Sequence, residues 1–466
     1  MIVRLLPVAL LSLLAVQVQA AAGDVAPRGV SANTYALDLL SLYKEARLQD
    51  PRVIAAGLHA RSAAEQQRAA LGGLLPQISA NGNYNRILRK DEYSREVYDS
   101  QSYSLSLTQY IYNKQAWEDW QKSKSVTRQR GSEAEEALAE STVDLAQRYF
   151  TALAADDELE LLMAERRATQ KNLDQVNALY ARHMAKITDQ LDLQARVDSL
   201  AAQEVEARNQ VRLSRAALSE LVGRPINEAL SRIRDDVTYR APMDSLDNWI
   251  QLAINSNPAL KAKQSNLEAA EAAVRGGKGG HYPSLSFSLS GQQSDEGYDN
   301  TESPRADSYV ATLGLKVPIY SGGSTSARVR GLYDEQDAAE QEQEAVKRQV
   351  VKETTSAYLT AQSSVEKIRA NRNALSSASQ SSVAAQKAFA YGVVNAVDVL
   401  NGVQAEFKAR RDLLKSQYDF VTNLFMLDRW AGKLSEASVS DVNAWLGGAP
   451  APAVPAPAPG QATAVR

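Results

Sequence analysis

The sequence predicts a mainly α protein with some β, in which one plan is written twice: a strand hairpin followed by a long coiled-coil helical hairpin. Three observations carry this. First, residues alternate strictly from Ser284 to Gly291, with Leu285, Phe287 and Leu289 on one parity and serines on the other, and alternation returns from Tyr309 to Ile319. Side chains of a strand point to opposite faces with period two, so this is a hairpin with one apolar and one small, hydroxylated face. Second, a shift of 207 residues lays Asp50-Pro51 on Asn257-Pro258 and Pro76 on Pro283 without a gap. The same alternation follows Pro76, in Ile78, Ala80, Gly82 and Tyr84, and again in Tyr103, Leu105 and Leu107. So long a period marks a duplication and not a solenoid. Third, apolar residues recur every seven positions over long stretches without proline, as supercoiled helices require.

Length and composition exclude several classes. The 466 residues carry a net charge of −3, no cysteine, and three scattered histidines, His59, His183 and His281. No disulfide, thiol chemistry or lipidated N-terminal cysteine is possible, and no strongly charged partner such as nucleic acid is implied. No nucleophile–histidine grouping, phosphate loop or metal spacing is present, so an enzyme is not expected and no cofactor is implied.

Taken in order, residues 1–20 read as a signal peptide. Arg4 supplies the positive start, Leu5–Val16 the apolar run and Val18-Gln19-Ala20 a cleavage site. The run is too short for a membrane anchor, which needs about 20 apolar residues. Any membrane crossed by the mature chain is therefore crossed by strands. The first structural repeat is placed at 35–240. Its helix over 36–73 is interrupted at Asp50-Pro51, where Pro51 suits the first turn of a new helix. Strands occupy about 76–112, and a long helical hairpin about 114–222. Leu138, Leu145, Ala152 and Leu159 fall at sevens, Arg166 breaks the series, and Leu173 and Tyr180 resume it. A helix from Lys114 to Met184 would run about 105 Å at 1.5 Å per residue. A turn near Lys186-Ile187 leads to a return helix from about 189.

Residues 223–257 read as an equatorial connector of short elements, which Trp249, Trp430 and Trp445 would help to pack. The second repeat, 258–446, has a helix to about 275 ended by glycines. Strands follow at about 283–320, and a long helical hairpin at about 324–432 that turns at Gly392-Val393-Val394-Asn395. The Pro/Ala-rich tail, 447–466, is expected to be disordered.

Four strands with an apolar outer face cannot close a membrane barrel, and an open edge in lipid leaves backbone groups unpaired. The chain must oligomerise, to eight strands as a dimer or twelve as a trimer. The alternative is a soluble periplasmic coiled-coil adaptor or scaffold, which would fractionate with soluble protein.

Beyond these residues, the plan resembles the TolC family of outer-membrane efflux and secretion channels over about 35–446. The resemblance rests on the order and spacing of Leu75-Pro76-Gln77-Ile78-Ser79, Leu221-Val222-Gly223-Arg224-Pro225, Pro318-Ile319-Tyr320 and Val397-Asp398-Val399-Leu400. It implies a homotrimer forming a 12-stranded β-barrel in outer-membrane lipid on a 12-helix periplasmic tunnel. It also implies a periplasmic adaptor (membrane fusion) protein and an inner-membrane transporter of ABC or RND type as partners. The adaptor-docking turns would be Lys186-Ile187 and Gly392-Val393-Val394. The periplasmic gate would comprise Thr188, Asp189, Asp192, Asp398 and Asn401, with Asp repeated around the axis as a cation-attracting ring. Asn401 stands where the family often has a second ring Asp, and Val394 where it often has an Arg, so the resemblance leaves open whether a salt-bridge lock forms here, with Lys186 or Arg182 as the alternative cations. Read locally, Asp189 and Asp398 are helix N-caps.

Overall fold

A computed structural model describes residues 36–90, 92–93, 95–296 and 305–448. The expected signal peptide lies outside these residues, as does the tail from 449 onward. The helices are α1 (Leu39–Gln49), α2 (Pro51–Gly72), α3 (Lys114–Tyr180), α4 (Ile187–Val222), α5 (Leu246–Ser256), α6 (Pro258–Gly279), α7 (Ser324–Ala390), α8 (Ala396–Trp430) and α9 (Glu436–Asn443). The strands are β1 (Gln77–Lys90), β2 (Arg95–Tyr112), β3 (Arg232–Ile233), β4 (Ser284–Glu296), β5 (Ala306–Lys316) and β6 (Leu446–Gly448). Gly447 and Gly448, expected in the tail, thus belong to a strand.

One antiparallel sheet has the order β1-β2-β4-β5. The central pairing, β2 with β4, joins the two repeats, and β1 and β5 are left as free edges. Register carries the alternation across all four strands. Ile78, Leu107, Leu289 and Ala311 form one row, and Ser79, Ser106, Ser290 and Val310 the adjacent one. Successive rows alternate faces. β1 and β2 run 14 and 18 residues against 13 and 11 for β4 and β5. All four reach or exceed the 9–11 residues of a tilted membrane strand.

The helices form columns in the same order. α2 and α4 pack on α3, α3 packs on α6 and α8, and these two pack on α7. No packing layer joins α7 back to α2 or α4 among the described residues. The stalk is therefore an arc with two free sides, under a sheet with two free edges. α3 and α7 each span 67 residues, about 100 Å. Tertiary contact sustains such lengths, since helices in globular proteins average about 10–14 residues and owe most of their stability to packing.

The largest core lies midway along the stalk. There α1, α9, β3 and β6 cover α3 and α8 around Tyr149, Phe150, Phe420 and Phe425. Phe420 stacks on Trp445, with ring centroids 6.4 Å apart. Asp50 accepts from the Arg52 backbone at 2.9 Å and from the Ser141 hydroxyl at 2.6 Å, so it caps α2 and ties it to α3. Asn257 caps α6 on the Leu260 backbone at 3.0 Å and donates to the Trp430 carbonyl at 3.0 Å.

One sequence expectation fails here. The glycines of 276–280 do not end α6 at about 275, because the helix runs to Gly279. A Cβ at Gly277 would lie 2.5 Å from the Leu332 side chain, and one at Gly279 2.9 Å from the Gln115 backbone nitrogen. These glycines let α6 press against α7 and α3, and that requirement outweighs their poor helix propensity.

Candidate functional site

The two turns at the far end of the stalk are built alike. After α3, His183 adopts the left-handed conformation (φ 57°), and the Met184 N–H reaches back to the Leu179 carbonyl at 2.9 Å. After α7, Gly392 does the same (φ 72°), and the Val393 N–H reaches the Ala388 carbonyl at 2.9 Å. Both are Schellman stops, which satisfy carbonyls a helix end leaves open. The chain then re-enters α4 and α8 differently. α8 has a full capping box. Asn395 Oδ1 accepts from the Asp398 N–H at 2.8 Å, and Asp398 Oδ2 accepts from the Asn395 N–H at 3.3 Å. α4 starts after Lys186 with no side-chain cap.

The N-cap reading of Asp189 and Asp398 is therefore corrected. Both lie inside the first helical turn, because each helix starts earlier than the sequence suggested, at Ile187 and Ala396. Both remain near the positive helix end, where a carboxylate is favoured. Thr188, Asp192, Asp398 and Asn401 are exposed, and Asp189 is half-buried. Lys186, Ile187, Gly392 and Val393 are exposed and Val394 is half-buried. No hydrogen bond or ion pair links Asp189 or Asp192 to Asp398 or Asn401 among the described residues. What draws the turns together is apolar: Leu173, Val176, Leu193, Val197, Ala396 and Leu400 form one small core, with Ala185 and Phe389 against it.

Above this core lies a group that sequence reasoning missed. Glu165 of α3 has no exposed side-chain surface and pairs with Arg196 of α4 and with Arg411 of α8, the latter at 3.1 Å. Beside it, Arg166 pairs with Glu204 at 2.5 Å. The one sign in the sequence was the break in the sevenfold series at Arg166. A carboxylate desolvated to this extent persists only when opposite charge meets it. Nearer the belt, Asp157 accepts from the Tyr418 hydroxyl and pairs with Arg232 at 3.0 Å. Burial pushes the Asp157 carboxyl up, and the Tyr418 hydrogen bond and Arg232 offset part of that. Burial also pushes the Tyr418 hydroxyl up, as does the neighbouring Asp157 charge.

At the opposite end, the sheet exposes its apolar parity: Leu313 and Leu315 are each 66% exposed. Tyr110, Tyr112, Trp117, Tyr282 and Tyr320 are also exposed, around the junction of strands and helices. Amphipathic rings at such a level suit a membrane–water boundary. Among the described residues no helix is long and apolar enough to cross a membrane, and no acidic, His or Cys group could hold a metal ion.

Comparison with known proteins agrees with this geometry. The model of the outer membrane efflux protein family matches residues 42–224 and 249–433, one segment in each repeat. Outer membrane protein TolC of Vibrio cholerae is 29% identical over 420 residues, covering 90% of this chain and 95% of that protein. Alkaline protease secretion protein AprF of Pseudomonas aeruginosa is 29% identical over 424 residues, covering 88% of both. The crystal structure of CusC superposes with a TM-score of 0.76 at 17% identity, over 86% of this chain and 93% of that one. The Campylobacter jejuni CmeC outer membrane channel gives 0.75 at 15% identity, over 87% and 89%. The chain belongs to the outer membrane efflux protein family: it is a TolC-like channel of the Gram-negative outer membrane with a large periplasmic portion, an exit duct and not an enzyme.

Proposed function

We propose that three copies close into one 12-stranded barrel on a 12-column tunnel, and that the paired turns form its periplasmic gate. The observation carrying this is the coincidence of two open edges in the sheet with two open sides in the stalk. An unpaired strand edge in lipid costs several kcal/mol per group, so β1 and β5 must find partners. Identical copies in a closed ring supply them. The serine, asparagine and threonine parity then lines a wet lumen, and the apolar parity meets lipid.

The gate reading assigns the constriction to Thr188, Asp189, Asp192, Asp398 and Asn401. Carboxylates repeated around an axis attract cations and repel one another, which opposes tight closure. Flow is passive, and a partner opens the iris by binding the open arrangement better than the closed one. The partners are a periplasmic adaptor protein and an inner-membrane transporter of ABC or RND type. They dock on the turns Lys186-Ile187 and Gly392-Val393-Val394, where Val393 is 76% exposed and supplies apolar contact area. The duct serves efflux, type I secretion, or both.

Single-channel recording in planar bilayers tests the gate. Asp398→Asn keeps a polar side chain at the cap and removes the charge; Asp398→Ala removes both. Both variants are expected to lose cation selectivity. Wild-type selectivity and conductance in both would remove the ring from the gate.

A further inference from the structure

Among the described residues, the hairpin of the first repeat extends past the pairing that joins it to the second. The last row shared by β2 and β4 joins Ser100 to Glu296. Five further rows of β1 with β2 lie beyond it, from Arg86 with Asp99 to Lys90 with Arg95. At about 3.4 Å per residue they add about 17 Å of two-stranded ribbon, at the end of the sheet away from the helices. A two-stranded ribbon in water is marginal, so a partner on one of its faces would steady it.

Register fixes the level of this ribbon. Tyr112 lies opposite Leu285, and Tyr84 shares a row with Gln101 and Asp295, ten β4 residues higher. Ten residues span about 34 Å along a strand, and about 26 Å in height at a tilt of about 40°. The apolar band of a membrane barrel is about 25 Å tall with aromatic rings at both rims, so Tyr112 and Tyr84 mark the two rims. Above Tyr84, on the parity of the apolar face, β1 carries Arg86, Leu88 and Lys90, opposite Asp99, Val97 and Arg95 of β2. Arg86 stands about 5 Å above the rim, and Lys90 and Arg95 about 16 Å. Headgroups occupy about 5–8 Å on each side of the hydrocarbon, and long basic side chains lean toward them on flexible stems. Leu88 and Val97, 57% and 53% exposed, form an apolar row between the cations.

Charge names the partner. Lys90 and Arg95 are exposed, and neither makes an ion pair or side-chain hydrogen bond among the described residues, Glu92 of the connecting turn included. They face each other across the register, and like charges directly opposite destabilise a strand pair. An anion held between them reverses that cost. Arg86, 73% exposed, approaches Asp99 only to 3.9 Å. The other carboxylates of this face stand lower, Asp295 in the row of Tyr84 and Asp307 in the row of Tyr103. The top row is therefore cationic alone. We propose that this ribbon binds a phosphorylated lipid headgroup of the outer leaflet. Lys90 and Arg95 clasp one phosphate, Arg86 meets phosphate nearer the rim, and the Leu88–Val97 row packs on less polar surface between them. Arginine suits this role because its planar fork matches phosphate oxygens. The site rests on the reading of the apolar parity as the lipid face, and adds to it the lipid chemistry that face selects.

The test titrates lipid A, the phosphorylated glycolipid anchor of lipopolysaccharide, into the full-length protein in mild detergent and counts bound lipid by native mass spectrometry. The double variant Lys90→Gln, Arg95→Gln is expected to bind at least about tenfold more weakly, since it loses two charge-assisted contacts. Lys90→Arg is expected to bind as the wild type does. Dephosphorylated lipid A is expected to bind the wild type no better than lipid A binds the double variant. Inorganic phosphate at the same phosphate concentration is expected not to compete. Equal binding by wild type and double variant, equal binding of dephosphorylated lipid A, or displacement by inorganic phosphate would each overturn the site. The lipid-face reading is checked apart from it. The chain has no cysteine, so an environment-sensitive dye on Leu313→Cys in phosphatidylcholine vesicles reports that face alone. A dye in water would overturn both readings, and a dye in apolar surroundings with unchanged lipid A binding in the double variant would overturn the headgroup site alone.

Discussion

Helices α3 and α7 have the same length and the same place in their repeats, yet they treat charge in opposite ways. α3 buries Glu118, Asp157 and Glu165, each met by cations or a tyrosine from neighbouring helices. α7 buries only small or hydroxylated polar residues, Thr354, Ser364 and Ser382, and keeps its charges outside. Position in the arc explains this. α3 is packed on both sides, so a charge pointing sideways is desolvated and must be paired inside the chain. α7 is the last column of the arc, and its outward charges stay in water. After a duplication, context and not ancestry decides what a helix face becomes.

The largest effect should come from breaking a buried pairing in the first repeat. Glu165→Ala is expected to destabilise by about 3 kcal/mol, toward the low end for buried pairs because both arginines keep partial contact with water. Guanidinium unfolding followed by helical circular dichroism measures it. A loss no larger than that of an exposed α7 variant such as Glu366→Ala would erase the contrast.

The next effect separates the caps of α2 and α6. Burial alone would raise the Asp50 carboxyl, but hydrogen bonds from Arg52 and Ser141 outweigh it and hold it below its ordinary 3.8. A lowered carboxyl contributes stability above its unfolded value and loses it as pH falls toward the folded one. Asp50→Ala should therefore cost about 2 kcal/mol at pH 7 and progressively less below pH about 4. Asn257→Ala should cost about 1 kcal/mol with no such pH dependence. Unfolding scans at pH 7 and pH 3 test this, and equal pH dependence in both variants would refute it.

Smaller effects lie at the turns. Asn395→Ala should lose about 1 kcal/mol, and Lys186→Asn, which offers α4 the missing cap, should gain about 0.5 kcal/mol. His183→Gly should gain about 0.5 kcal/mol and Gly392→Ala lose about 1 kcal/mol, since only glycine adopts the left-handed region without strain. Amide hydrogen exchange at the turns reads both pairs. Equal shifts at the two turns would mean that their different caps do not matter.

The strands were readable from the chain because alternation is local: Leu285 to Gly291 declares its faces without reference to any partner. The helical hairpins were readable because long proline-free stretches with apolar sevens have no other packed form. The two turns at the far end of the stalk were located, but their caps were misassigned, since whether Asn395 or Asp398 caps depends on where the preceding turn releases the chain. The glycines of α6 misled because propensity is local and close approach to Gln115 and Leu332 is not. Glu165 showed only through its neighbour Arg166, because its partners lie about 31 and 246 residues away along the chain.

By itself, then, the sequence determined the duplication, the two-faced strands, the long rods and the absence of thiol chemistry, all set by periodicity and composition. Only the tertiary structure decided that β2 joins β4, that α3 is enclosed while α7 is an edge, and which charges are paired inside. Those outcomes depend on contacts between residues far apart in the chain, and their energies come from desolvation, which no local pattern records.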